Sequence, residues 1–274
     1  MRQRGGVAQL LTVAAIGAAL VFFLFPVYWM VATSFKDPGE YFASPPIFVP
    51  SQIDLRNYIG SLQHGGFQGI RDSLVVALAS TTICVLFGSL AAYSLARFRT
   101  GGENLSFWVL SIRMFPPVAS VLPLFLVFRD LHLLDTHLAL IVTYIVFNLP
   151  FAIWLLKGFF EDLPVELEEA ALVDGATQLG AFRLVAFPLT APGLVATALF
   201  CFIFAWNEFM FALILTRNAV RTLPIVIPTL VGGHEILWGE ISSIAIIAIV
   251  PVILLSLILQ RYLIRGLTFG AVKG

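Results

Sequence analysis

Charged residues are scarce in this sequence. Asp, Glu, Lys and Arg make up 12% of its 274 residues, whereas 59% are hydrophobic and the mean hydropathy is +0.95. A water-soluble protein of this length could not bury so much apolar surface, so the composition predicts that a lipid bilayer surrounds the chain. The 16 basic residues are balanced by 16 acidic ones, which leaves no basic field to hold nucleic acid. We therefore expect no nucleic-acid partner.

Catalytic and phosphate-binding motifs are lacking too. A phosphate-binding loop of the form GxxxxGK[ST] needs a Gly-Lys pair, but the three lysines follow Phe35, Leu156 and Val272. The chain is therefore expected not to hydrolyse ATP by that route. A zinc protease of the HExxH type needs a second histidine at the position where Trp238 follows His234. An intramembrane enzyme is thus disfavoured, and no catalytic residue, metal site or bound cofactor is predicted.

Cysteine and histidine are few and scattered. Cys84 and Cys201 each lie in an apolar run, where a small buried hydrophobe is a more common role than a disulfide or a metal ligand. His64, His132 and His137 fall in predicted outer loops. Solvated or capping roles are more common than metal binding at such positions.

Long apolar runs are what the sequence does have. About 20 apolar residues cross the hydrocarbon core as a helix, and six runs reach that length. They are residues 7–30, 74–95, 107–127, 138–156, 194–215 and 241–262. Backbone groups in lipid must be satisfied within each segment, which excludes open strands. The predicted fold class is an all-α integral membrane protein with six transmembrane helices in a single domain, 1–274, whose first span is not a cleaved signal.

The basic residues predict the orientation of the spans, because they are enriched in cytoplasmic segments. With both termini in the cytoplasm, nine basic residues lie inside: Arg2, Arg4, Arg97, Arg99, Lys157, Arg183, Arg261, Arg265 and Lys273. Six lie outside: Lys36, Arg56, Arg71, Arg129, Arg217 and Arg221. We therefore predict a multi-pass protein of the bacterial cytoplasmic membrane with cytoplasmic N and C termini.

The longest outer segment, Ser34 to Asp72, is predicted to be an ordered loop over the outer face. It has no helical period, and it is rich in the turn-forming residues Pro45, Pro46, Pro50, Gly60, Gly65, Gly66 and Gly69. A simple tether is the alternative, although so long a connection usually makes contacts of its own.

The cytoplasmic segment 158–192 is predicted to contain two short helices. Pro164 suits the first turn of a helix, and the acidic residues that follow it suit the positive end of the helix dipole. Gly175 is expected to break this first helix, and Pro188 to end the second one. A helix lying on the membrane surface would need a basic polar face, whereas this one is acidic. We therefore predict a docking loop for another protein.

This loop resembles the signature of the binding-protein-dependent ABC importer permeases, which is Glu-Ala-Ala, three residues, Gly, nine residues, Ile, one residue, Leu-Pro. It stands here as Glu169, Ala170, Ala171, Gly175, Val185, Phe187 and Pro188. Val and Phe replace Ile and Leu, and the spacing is kept. The six spans, the stretch FAWNEF at 204–209 and the ending GLTFGAVKG at 266–274 are similar to the carbohydrate branch, for sugar, polyol or glycerol-phosphate-type solutes.

The resemblance implies the fold of a type I ABC importer permease, with a coupling helix seated on an ATPase. The residues assigned to docking are Glu168, Glu169, Ala170, Ala171, Asp174, Gly175, Phe182 and Pro188. The implied partners are a second homologous permease subunit, an ATP-binding-cassette ATPase dimer that uses ATP and Mg, and an extracytoplasmic solute-binding protein. The expected function is import of a sugar or related polyol.

Polar residues inside the spans are the candidates for a translocation path, since polar groups are costly in lipid. They are Arg113, Tyr144, Asn148, Trp206, Asn207 and Glu208. Hydrogen bonding between helices, or pairing of Glu208 with Arg113, is the alternative role, and for Asn148 it is local capping ahead of Pro150. Pro116 and its neighbours are expected to interrupt the third span.

Two other transport functions remain open. A secondary transporter or channel also needs six helices and sparse polar groups, but the acidic docking loop argues against it. A proton- or sodium-coupled carrier would hold several ionisable residues at mid-membrane, and only Arg113 and Glu208 approach that position. An ABC permease for a solute other than a sugar is the second alternative.

Overall fold

The computed structural model describes residues 6–232 and 235–271, and helices dominate them. The α-helices are α1 Gly6–Ser34, α2 Arg56–Ser61, α3 Phe67–Phe98, α4 Gly102–Met114, α5 Pro117–Asp130, α6 His137–Glu161, α7 Glu166–Val173, α8 Gln178–Ala181, α9 Phe187–Leu189, α10 Ala191–Trp206, α11 Met210–Leu215, α12 Leu223–Thr229 and α13 Trp238–Ala271. Three shorter helical segments lie between these helices. They are a 3-10 turn at Pro38–Glu40, a kinked π-type turn at Leu62–Gly66 and a π-helical turn at Phe182–Ala186. Strands β1 Val231–Gly232 and β2 Glu235–Ile236 form an antiparallel pair.

The chain forms two compact units. One consists of Met1–Gly66 with Ile227–Val250, and the other of Phe67–Val226 with Pro251–Gly274. The core of the second unit lies where α3, α6 and α10 pack together. Small residues bring these helices close, since a Cβ on Gly88 would lie 3.1 Å from Cβ of Ala152. Cys84 and Cys201 are free and buried in this core, as the sequence predicted.

Four helices are long and apolar enough to cross a membrane by themselves, and two bent pairs raise the number of spans to six if each pair counts as one. The single helices are Gln9–Ser34, Arg56–Phe98, His137–Glu161 and Trp238–Gln260; the bent pairs are Asn104–Met114 with Pro117–Asp130, and Gln178–Leu189 with Ala191–Trp206. Six predicted spans thus have counterparts in the described chain. The sixth helix continues to Ala271, beyond the predicted end at residue 262.

The third and fifth spans differ from the straight helices that their apolar runs predict. The third is bent by 86° between Met114 and Pro117, because two consecutive prolines remove the N–H groups that would continue the helix. The predicted interruption there is confirmed. The fifth span was predicted as one continuous helix, 194–215. That prediction was wrong, because the helix ends at Trp206 and a new one begins at Met210. The polar pair between these helices, residues 207 and 208, lies in the break.

The outer segment 34–72 contains more helix than predicted. Residues 35–55 are largely non-helical; α2 begins at Arg56, and a kink with non-helical backbone at His64 and Gly65 separates it from α3. Gly65 alone takes the left-handed conformation there, with φ of 104° at the kink. Gly69 is instead a close-packing position, because a Cβ on it would lie 3.2 Å from Cα of Leu223. Glycines in this segment therefore have two roles: Gly65 permits a kink, and Gly69 permits close helix packing.

Candidate functional site

The connection between α6 and α10 has two short helices, as predicted, with shifted boundaries. α6 continues to Glu161, so the loop begins later than residue 158. α7 places three glutamates in its first turn, where the helix dipole favours them. Gly175 follows with φ of 92°, a left-handed conformation that glycine adopts without strain. The second helix ends at Leu189, one residue after Pro188 and close to the end that the sequence predicts.

The surface of this loop is acidic and apolar. Glu169, Ala170, Asp174 and Gly175 are exposed, and the side chain of Val173 between them is 87% accessible. Leu179 on the second helix is also exposed. Exposed apolar side chains rimmed by polar groups are typical of protein interaction sites. The loop therefore presents a surface of a kind that another protein can cover.

Glu168 points the other way, into the protein. One carboxylate oxygen accepts a hydrogen bond from Tyr93 Oη at 2.6 Å, and the other lies 2.7 Å from Arg97 Nη2. Arg97 also donates to the carbonyl of Leu163 at 2.9 Å. The side chains of Arg97 and Glu168 are only 9% and 6% accessible. Internal partners thus satisfy the Glu168 carboxylate, and this residue fastens α7 to the end of α3 instead of facing outward.

Phe182 is likewise an internal residue of the loop. Its ring lies 4.8 Å from that of Tyr93 and 6.1 Å from that of Phe160, measured between centroids. This aromatic cluster joins the second helix of the loop to α3 and α6. Of the predicted docking residues, Ala171 is half-buried and Pro188 is exposed.

A cavity of about 510 Å³ lies among α4, the start of α5, α6, α10 and α11, and both polar and aromatic side chains line it. Five of the six predicted path residues line it: Arg113, Tyr144, Asn148, Asn207 and Glu208. Trp206 does not line it, because its side chain is buried and stacks on the ring of Phe202 at 5.5 Å. The 86° bend of the third span and the break after α10 bring these separate polar residues to one place.

Arg113 is held at one edge of the cavity. Its Nη1 donates to the carbonyl of Phe147 at 3.0 Å and to Oδ1 of Asn148 at 3.3 Å. The guanidinium carbon lies 4.6 Å from the ring centroid of Phe204, a cation–π contact. Within residues 6–232 and 235–271, no carboxylate forms an ion pair with Arg113. The cavity therefore contains a positive charge that aromatic and amide groups position.

Glu208 does not pair with Arg113, so the ion-pair alternative was wrong, whereas the other alternative, hydrogen bonding between helices, is present. Its carboxylate accepts hydrogen bonds from the backbone N–H groups of Phe211 and Ala212 at 2.9 and 3.2 Å, at the N-terminus of α11. The hydroxyl of Tyr144 donates to it at 3.0 Å, which joins α6 to the break. Asn207 donates to the carbonyl of Ile203 in its own helix at 2.8 Å.

Sequence reasoning missed the aromatic part of the cavity. Phe147, Phe204 and Phe211 also line it, and the rings of Phe147 and Phe211 stack at 4.8 Å. A signal was present, because Phe204 precedes Asn207 and Glu208 by three and four residues, which places it on the same helical face.

A second polar cluster lies at the N-terminal end of α3, and sequence reasoning missed it as well. The buried Asp72 accepts hydrogen bonds from Arg71, from the backbone N–H of Arg221 at 2.9 Å and from His137 Nε2, 3.0 Å away. Asp135 accepts four backbone N–H groups of residues 217–220 at 2.9–3.1 Å. Burial would raise the pKa of Asp135, but these hydrogen bonds lower it to about 2.

Two of the histidines lie beside carboxylates, which the sequence did not predict. His137 contacts Asp72, and His64 Nδ1 lies 2.7 Å from a carboxylate oxygen of Glu240. The part of the chain that the structure describes holds no group of three residues able to bind a metal ion. The histidine of the HEILW motif, His234, lies outside the described residues.

The clusters around Asp72 and Asp135 lie at one end of the helical bundle, and the loop between α6 and α10 lies at the other end. Residues 72, 135, 137 and 221 share one end, whereas Tyr93, Arg97 and the loop share the other, so successive loops alternate between two faces. A helical bundle with alternating loops, a partly open cavity that contains ionisable side chains and an exposed interhelical loop is typical of a membrane transport protein.

Comparison with known proteins gives the family. The family described as "Binding-protein-dependent transport system inner membrane component" matches residues 84–269. The chain belongs to this family of membrane permeases, and the resemblance seen in the loop is confirmed. It is thus an inner-membrane protein.

Two relatives match nearly the full length. The trehalose/maltose transport system permease protein MalG of Thermococcus litoralis is 36% identical over 271 residues, 97% of this chain and 96% of that protein. The trehalose transport system permease protein SugB of Mycobacterium tuberculosis is 41% identical over 256 residues, 92% of this chain and 93% of that protein. Both are permease subunits.

A solved structure shares the fold. The crystal structure of a bacterial ABC transporter involved in the import of the acidic polysaccharide alginate contains a chain that matches with a TM-score of 0.78 and 23% identity. The match covers 96% of this chain and 99% of that chain. The predicted all-α membrane permease fold is confirmed.

Proposed function

We propose that this chain is one permease half of an ATP-driven importer that carries a sugar or related polyol. The solute is delivered by an extracytoplasmic binding protein, and a partner ATPase dimer supplies the energy with ATP and Mg. A second homologous permease completes the path through the bilayer. The carbohydrate transport systems named for MalG and SugB support this solute class.

The exposed loop surface carries the proposal. Glu169, Ala170, Val173, Asp174 and Gly175 form one acidic and apolar patch, and the chain has no phosphate-binding motif of its own. A permease that lacks its own ATP-binding motif needs such a surface to bind a separate ATPase subunit. Small residues let a partner approach the backbone, and carboxylates attract its Lys or Arg side chains.

The solute is proposed to pass through the cavity that Arg113, Asn148 and Asn207 line. Hydrogen-bonding groups from Arg113, Asn148 and Asn207 face it together with aromatic rings, a combination that suits hydroxyl groups and the apolar faces of sugar rings. Asn148 and Glu208 also satisfy local hydrogen bonds, and this does not prevent them from contacting solute. We assign the positioning of the solute to Arg113 and Asn207.

Reconstitution tests the proposal. The chain is placed in proteoliposomes with its second permease, ATPase and binding protein, and ATP-dependent uptake of radiolabelled neutral mono- and disaccharides is measured. Arg113→Ala and Asn207→Ala should each lower uptake about tenfold, the effect of losing one hydrogen bond to solute. Arg129→Ala is the matched control, since this exposed arginine pairs only with its neighbour Asp130 in the described chain.

Two outcomes of this experiment would each contradict one part of the proposed function. Uptake by the chain without any ATPase subunit would identify a secondary transporter and overturn the ATP-driven assignment. Normal uptake by Arg113→Ala and Asn207→Ala would remove the cavity from the path, while leaving the permease assignment in place.

A further inference from the structure

A second cavity, of about 400 Å³, lies in the other compact unit. It is built where the segment after α1 meets α2 and the start of α13. Its lining residues are Pro38, Tyr41, Phe42, Asn57, Ile236, Leu237, Trp238 and Glu240. In the proposed topology all of these belong to the extracytoplasmic side.

One wall of this cavity is an open aromatic corner. The rings of Phe42 and Trp238 meet edge to face, with centroids 6.3 Å apart and an angle of 81°. Phe42 is 79% accessible and Trp238 is 40% accessible. Exposed large aromatic rings beside polar groups mark binding surfaces. Two perpendicular ring faces suit a ligand that has flat apolar faces of its own.

The floor of the cavity is a hydrogen-bonded polar network around Asn57. The amide nitrogen of Asn57 donates to the carbonyls of Ser34 and Lys36 at 3.0 and 2.9 Å. Tyr41 Oη donates to Oδ1 of Asn57 at 3.3 Å. The Tyr41 hydroxyl donates its proton to Asn57, and its oxygen interacts with the backbone N–H of Gly239, which leaves one acceptor position on the phenol. Gly239 makes the arrangement possible, because a Cβ there would collide with Tyr41 and Asn57.

Glu240 adds a carboxylate to the same floor. His64 Nδ1 lies 2.7 Å from its Oε2, whereas Oε1 has no hydrogen-bond partner among residues 6–232 and 235–271. The carboxylate lies against Gly60, where any side chain would collide with it. The cavity thus offers an acceptor on the carboxylate and an acceptor on the phenol beside its aromatic wall.

We propose that this cavity binds a neutral pyranose unit of the cargo at the extracytoplasmic entrance of the permease. Pyranose rings have apolar C–H faces for Phe42 and Trp238 and hydroxyl groups for Tyr41 and Glu240. A carboxylate acceptor favours a hydroxyl donor over an anionic ligand. The inference rests on the proposed carbohydrate function and adds to it a receiving site outside the central cavity.

The test uses the full reconstituted transporter with its binding protein. ATP-dependent uptake of radiolabelled trehalose, maltose and glucose is measured for Trp238→Leu, Trp238→Phe and Glu240→Gln. Leu keeps apolar area without a ring face, so Trp238→Leu should lower uptake about tenfold, whereas Trp238→Phe should retain most of it. Glu240→Gln should lower uptake about threefold to tenfold through loss of the charged acceptor. Trp154→Leu, an exposed tryptophan on α6 outside both cavities, is the control and should match the parent.

The binding-protein concentration separates a sugar site from a protein contact. The loss in Trp238→Leu should persist at saturating binding protein, with an unchanged half-saturating concentration. Recovery of uptake at high binding-protein concentration would show that the rings contact that protein, and would overturn the sugar site. Unchanged uptake by Trp238→Leu and Glu240→Gln would overturn it as well. Failure of the parent to take up any member of a panel of neutral mono- and disaccharides and polyols, these three sugars included, would instead contradict the proposed function.

Discussion

At the residue scale, the structure separates side chains that the sequence treats alike. Asp130 and Asp135 both belong to the predicted outer connection between the third and fourth spans. Asp130 pairs at the surface with Arg129, whereas Asp135 accepts four backbone N–H groups from residues more than 80 positions away. Only the second aspartate therefore organises the loop after α11.

Asp135→Asn should destabilise this face of the protein by about 1–3 kcal/mol, since hydrogen bonds to a charged acceptor are lost. The folded pKa of Asp135, about 2, is below its unfolded value of about 3.9. Its contribution is therefore fully present above the unfolded value and is lost as the pH falls through the folded pKa. Thermal melting of the detergent-purified chain should show a difference between parent and variant that shrinks between about pH 5 and pH 2.

Asp130→Asn is the control for that experiment, because its carboxylate is exposed. It should melt like the parent at every pH. A difference for Asp135→Asn that stays constant down to pH 2 would contradict the role of the ionised carboxylate.

At the element scale, α7 carries three glutamates with different environments. Glu166 and Glu169 are exposed, whereas Glu168 is buried against Tyr93 and Arg97. Successive helical residues point about 100° apart, so neighbours on one helix can face opposite surroundings. Glu168 fastens the loop, and Glu169 remains available to a partner.

Glu168→Gln should loosen α7 from α3. Removing one partner of a buried ion pair leaves Arg97 uncompensated and costs about 3 kcal/mol or more. Amide hydrogen exchange in residues 163–175 should then be about a hundredfold faster than in the parent. Exchange measured by mass spectrometry on the purified chain reports this without any partner subunit.

Two further variants on the same helix complete the comparison. Glu166→Gln should leave exchange unchanged, because this exposed carboxylate makes no ion pair within the described chain. Glu169→Lys should also leave exchange unchanged but reduce capture of the ATPase subunit, in line with the proposed function. Equal exchange in Glu168→Gln and the parent would show that the buried pair does not fasten the loop.

At the scale of the whole molecule, the orientation of the bundle decides which face would meet the proposed ATPase. Single cysteines at Asp130 and Asp174 probe the two faces, since both positions are exposed. A membrane-impermeant maleimide added to right-side-out vesicles should label Asp130→Cys directly. Asp174→Cys should be labelled only after the membrane is permeabilised. The reverse pattern would invert the proposed topology.

The parent is the background control for labelling. Cys84 and Cys201 are buried in the core of α3, α6 and α10, so the unmodified chain should remain unlabelled from either side.

Much of the fold was predictable because its determinants are local. The length of an apolar run decides whether it can span a bilayer, and consecutive prolines decide where the third span breaks. The spacing of Glu169, Ala170, Ala171 and Gly175 identified the family before any geometry was known. The polar residues of the spans were also identified, because polarity in lipid is rare enough to be noticed.

What the sequence could not supply was the pairing of residues that lie far apart along the chain. Glu168 and Arg97 are separated by 71 positions, and nothing local distinguishes Glu168 from Glu169. Similarly, Phe42 and Trp238 meet only when the segment after α1 packs on the start of α13. The sequence alone thus determined the membrane-spanning class and the signature loop, because chain composition and local spacing encode them. Tertiary structure decided which side chains face inward and which form a cavity, because burial and contact depend on the packing of separate helices.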